Sequence, residues 1–75
     1  EAHAGYAADK VVKARELRAQ AARSPSALER PDLRRRLTHY EQSLVMLRSV
    51  APDLALVGQL AFELWALATL PPAPE

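Results

Sequence analysis

The chain has 75 residues, ten Lys and Arg against nine Asp and Glu, and no cysteine. Folding a chain of this size hides only about 60% of the surface that its unfolded form exposes, so a modest core needs further support. Disulfides and thiolate metal sites are excluded, and His3 and His39 stand too far apart in sequence to suggest a zinc site; regular helix packing and a partner remain.

The net charge of +1 hides a polarity. Residues 1–40 carry nine basic and five acidic side chains, so +4, whereas residues 41–75 carry one basic and four acidic, so −3. Two different surfaces are expected rather than one strongly basic face. Ala (15), Leu (12) and Arg (8) dominate, with no Ile or Asn, which favours helix throughout. No segment alternates as a strand does. Six prolines, at 25, 31, 52, 71, 72 and 74, divide the chain.

The first helix is expected over about 6–22. Projected at 100° per residue, its apolar side holds Ala4, Ala7, Val11, Ala14 and Ala21, with Val12 and Leu17 at the edges and Arg18 near the middle. An alanine seam buries little area but lets another helix approach closely. Arg18 must reach water or meet a carboxylate, and Glu63 is the candidate. Residues 23–30 read as a loop with one helical turn, a capping box from Ser26 to Glu29, and Leu28 plugging it onto the core.

The second helix, 31–50, carries the clearest pattern. Leu33, Leu37, Tyr40, Leu44 and Leu47 recur at spacings of 4, 3, 4 and 3, a heptad seam for packing. Arg35, His39 and Gln42 fall on the solvent side. Pro31 suits the first helical position and Asp32 the positive end of the helix dipole. The start Arg30-Pro31-Asp32-Leu33 recurs as Ala51-Pro52-Asp53-Leu54. Pro52 disfavours helical geometry at Ala51, so a sharp turn that unwinds Ser49 to Ala51 is expected there, in preference to a kinked long helix.

The third helix, 53–70, has only Gln59, Glu63 and Thr69 as polar residues after Asp53, before a Pro-rich tail at 71–75. Its apolar arc spans roughly 200°, twice what a surface helix needs. Leu54, Val57, Ala61, Leu64 and Ala68 are assigned to the two neighbouring helices. Leu56, Leu60 and Leu67 would then form a second row, with Phe62 and Trp65 on the opposite edge. Exposed together, these side chains make an apolar patch that calls for a partner. The run is short of the ~20 apolar residues of a membrane span and contains Glu63, so insertion is disfavoured.

Other chemistry finds little footing. Arg34, Arg35 and Arg36 fan around a helix, and no groove-reading motif is present. No phosphate loop, zinc-protease motif or nucleophile elbow occurs. Glu63 reads as an ion-paired or edge residue before it reads as a catalytic acid.

The sequence thus predicts an all-α helical hairpin or three-helix bundle, completed by partner helices. Residues 1–75 are expected to be one small helical segment of a longer chain, since the first residue is Glu rather than Met. Its expected role is non-enzymatic protein–protein association, without cofactor or metal, as a homo-oligomer or within a larger complex such as a virion. The partner interface is assigned to Leu56, Leu60, Phe62, Trp65 and Leu67. The alternative is a small basic helical nucleic-acid-binding domain. No compartment is indicated.

Overall fold

The computed structural model describes residues 2–24 and 26–70, for Ala2 the backbone alone. Three α-helices, α1 (Ala2–Arg23), α2 (Pro31–Val50) and α3 (Ala55–Ala68), pack together with a short 3-10 turn at Ala27–Glu29 between the first two. No strand occurs among the described residues. The protein is an all-α three-helix bundle. Pro25 and the Pro-rich tail lie outside the described residues.

Helix α1 starts four residues earlier than expected. Gly5 weakens a helix, but Ala4, Ala7 and Ala8 around it are the best helix formers available. The helix is also rotated from its expected setting. Its buried stripe is Ala7, Val11, Ala14, Leu17 and Ala21, while Val12 faces solvent. Alanines contribute too little area to define a direction, so the burial of Leu17 and Val11 sets the rotation. Leu17, expected at the edge, is fully buried, and Arg18, expected near the middle, is only half-buried.

The link to α2 departs from the expected capping box. The Ser26 side chain makes no cap hydrogen bond. Instead the Ser26 carbonyl accepts from the Glu29 amide at 3.0 Å, and the Ala27 carbonyl from the Arg30 amide at 3.0 Å. Ala27 is the buried plug and Leu28 is half-buried against the core. Arg30, placed before Pro31, is extended (φ −72°, ψ 131°), and α2 begins at the proline.

Along α2, Leu33, Tyr40, Leu44 and Leu47 are buried and Leu37 is half-buried, while Arg35, His39 and Gln42 are exposed. Ser43 joins the buried side. Its hydroxyl donates to the His39 carbonyl at 2.9 Å and lies 2.9 Å from the Tyr6 hydroxyl of α1. A serine has one hydroxyl hydrogen, so Tyr6 is the donor in the second bond.

The two similar tetrapeptides behave differently. Pro31-Asp32 opens a helix directly, whereas Pro52-Asp53 forms the centre of a turn closed by the Leu54 amide on the Ala51 carbonyl at 3.1 Å. The sharp turn is present, but α2 stays helical through Val50 and only Ala51 leaves it (φ −147°, ψ 56°). Because the turn consumes Pro52 and Asp53, α3 starts at Ala55, later than expected. It ends at Ala68, where the Thr69 amide and hydroxyl both donate to the Trp65 carbonyl, at 3.1 and 3.0 Å.

The chain runs up, down and up. Tyr6 meets Ser43 across antiparallel helices, and Arg18 meets Glu63 across parallel ones. Helix α1 packs most extensively on α3. Ala7 and Ala14 of α1 are fully buried, and side chains this small let a neighbouring backbone come close.

Candidate interaction surface

Helix α3 has one charged residue in 14, Glu63. The bundle's narrow dimensions, 16 and 19 Å across, leave each helix a solvent side. An apolar helix in such a bundle necessarily presents apolar residues outward. Which ones is decided by packing.

Val57, Leu60, Leu64 and Leu67 are buried in the chain's own core, Leu60 completely, and Leu56, Leu54 and Ala61 are half-buried against it. The expected outer row of Leu56, Leu60 and Leu67 is therefore wrong. The close approach of α1 covers it without large side chains, so Leu60 and Leu67 are not available to a partner. Ala68, assigned to a neighbour, is exposed.

The outward face is the opposite one. Phe62 is 55% and Trp65 61% exposed, with ring centroids 5.9 Å apart and the planes tilted by 35°. Ala55 and Gly58 are exposed on the same face. With Phe62 and Trp65 they follow spacings of 3, 4 and 3, so they line up along one side of the helix. Ala55 and Gly58 were not singled out in the sequence, although this spacing was there to read. Beside them lies an open groove of about 430 Å³ lined by Arg15, Ala55, Gly58, Gln59, Phe62 and Glu63.

One wall of that groove is an ion-pair cluster. Glu63 is only 3% exposed and receives Arg18 Nε at 2.7 Å and Arg15 Nε at 3.2 Å. The expected pairing of Arg18 with Glu63 is present, with Arg15 as a second partner. Arg15 and Arg18 sit three apart on α1, so both reach the same carboxylate. Each arginine keeps contact with water, which limits the desolvation cost, while the buried carboxylate has a donor for each oxygen.

A second surface lies between α1 and α2. Lys10, Lys13, Arg35, Arg36 and His39 line an open groove of about 350 Å³ together with Asp32 and Tyr40. Its charge is partly balanced from within. Asp9 bonds Lys13 at 3.2 Å and Lys10 at 3.3 Å, and the hydrogen bonds from Lys13 and Lys10 hold its carboxyl below the ordinary value of 3.8. Lys10 also lies 4.7 Å over the Tyr6 ring. For Asp32, desolvation pushes the carboxyl up, but the charge of Arg30, the bond from it and the amides of the α2 N-terminus together bring it below 3.8.

Among the described residues, no group of three His, Cys, Asp or Glu side chains could hold a metal ion, and no helix is long and apolar enough to cross a membrane. Compared with protein-family models, curated proteins and solved structures, the chain matches none.

Proposed function

We propose that the chain is a non-enzymatic protein-association module and that its contact surface is the outer face of α3, centred on Phe62 and Trp65. The observation that carries this reading is the exposure of two adjacent aromatic rings on the outer side of α3, a helix whose one charged residue is buried. Single exposed apolar residues, such as Val12 on α1 or Val45 on α2, are ordinary. Paired aromatics flanked by small residues and a groove have the composition of an interface anchor. Burying the exposed halves of the two rings would contribute on the order of 1–2 kcal/mol each.

The test is a photo-crosslinking phenylalanine analogue at position 62 of the full chain, in the cell that makes it, with the same analogue at Arg35 as control. A discrete protein adduct at 62 and none at 35 is expected. No adduct at 62 would remove the reading.

A second reading, binding to nucleic-acid phosphates, is favoured by the groove of Lys10, Lys13, Arg35, Arg36 and His39. Asp32 in its lining, and Asp9 paired with both of its lysines, weigh against that use. A salt titration of binding to random-sequence duplex DNA separates the two: only a phosphate-binding groove gives tight binding that falls steeply with salt.

A further inference from the structure

Glycine in the interior of a helix weakens it relative to alanine. Gly58 stands in the first half of α3, has no positive φ, and a Cβ built on it would meet nothing within 4 Å. Neither backbone geometry nor packing inside the chain requires glycine there. What a glycine at an exposed helix position supplies is close approach from outside. Gly5 is equally open, but it lies in the first turn of α1, where a weakened helix matters less.

The arrangement around Gly58 indicates what approaches. Gly58 and Phe62 each lie two residues from position 60, and Ala55 and Trp65 each lie five residues from it. Both symmetric pairs join a small residue to an aromatic one. A second α3 laid antiparallel, with its midpoint at residue 60, sets Phe62 of each copy on Gly58 of the other and Trp65 on Ala55. Two-fold symmetry makes each contact twice. A parallel pairing would set ring on ring and leave a gap at the small positions.

Charge points the same way. Helix α1 carries five basic and two acidic residues, and α2 four basic and two acidic, so either helix repels a copy of itself. Helix α3 carries only Glu63, buried and held by two arginines. Its outer face bears no charge of its own, and the two charged residues that line the groove beside it, Arg15 and Glu63, are paired with each other.

We propose that the occupant of this face is a second copy of the chain, packed α3 against α3 in an antiparallel two-fold pair with Phe62 seated in the partner's groove at Gly58. This rests on the association reading above. A helix of 14 residues is about 21 Å long, a short seam, so the dimer is weak and reversible.

The test is the mass of the full chain in solution, by light scattering from micromolar to millimolar concentration, with circular dichroism to confirm folding. The mass should rise from 8.3 kDa towards twice that value. Gly58→Ala should raise the melting temperature of the dilute monomer and yet weaken the dimer. Gly58→Leu and Phe62→Ala should each raise the dimer's Kd about tenfold or more, the equivalent of one well-packed contact. The double variant Gly58→Leu, Phe62→Ala should recover much of the loss, because the large and small partners merely exchange places. A chain that stays at 8.3 kDa to millimolar concentration, a dimer indifferent to Gly58→Leu, or a double variant no better than the singles each overturns the proposal. If the chain stays monomeric while the crosslinker at 62 captures a different protein, the second copy is overturned and the association reading stands. If the crosslinker captures nothing, both fall.

Discussion

Glu63 shows how a single residue's environment sets its role. A carboxylate in the most apolar helix would be costly to bury alone. Two arginines from α1 remove that cost while keeping their own contact with water. Glu63→Gln should therefore destabilise the chain by about 1.5–3 kcal/mol, the range for hydrogen bonds to a charged group. Arg18→Ala should cost more than Arg15→Ala, since Arg18 is the closer and less exposed partner; urea unfolding of the three variants checks the order. Asp9 and Asp32 both have folded-state values below 3.8. A depressed carboxyl contributes stability that is present above its unfolded value and lost as the pH falls through the folded one. The melting temperature should show no loss from these two groups at pH 5 and a small one below 3.8, followed by circular dichroism; replacing both by Asn should flatten that part of the curve.

At the scale of the helix, the two seams of α1 and α2 stabilise by different means. The α2 seam works by area. Leu47→Ala, at a fully buried site, should cost about 2–5 kcal/mol, and Leu44→Ala a similar amount. Arg35→Ala, on the outer side, should change stability by less than about 0.5 kcal/mol. The α1 seam works by closeness. Ala14→Leu adds volume at a fully buried site and should destabilise by about 1–3 kcal/mol, although leucine is nearly as good a helix former as alanine. A thermal melt in which Ala14→Leu equals or exceeds the parent would show that α1 and α3 do not approach as described.

For the whole molecule, the distinction is between residues that hold the bundle and residues that extend it. Leu60 is a core residue, so Leu60→Asp should unfold the chain outright rather than loosen an assembly. Phe62→Ala and Trp65→Ala should leave the helical signal of the dilute chain nearly intact. Circular dichroism of the three variants at micromolar concentration reads this directly. A folded Leu60→Asp variant would mean that the core has been drawn around the wrong face of α3.

The sequence by itself determined the fold class, the bounds of α2 and the site of the reversal at Pro52. Each rests on a strong local signal: helix-forming composition, a five-point heptad seam, and a ring that cannot continue a helix. The pairing of Arg18 with Glu63 was also legible, because each is the odd charge on an otherwise apolar stripe. Only the tertiary structure decided the rotation of α1, since the four alanines of its apolar side sum to no firm direction and Leu17 finds its place only in the packed core. Only the tertiary structure decided which side of α3 faces out. A helix apolar over most of its circumference has no pattern that separates core from surface. The assignment depends on how closely the neighbouring backbones can come, and that distance was set by the alanines of a different helix.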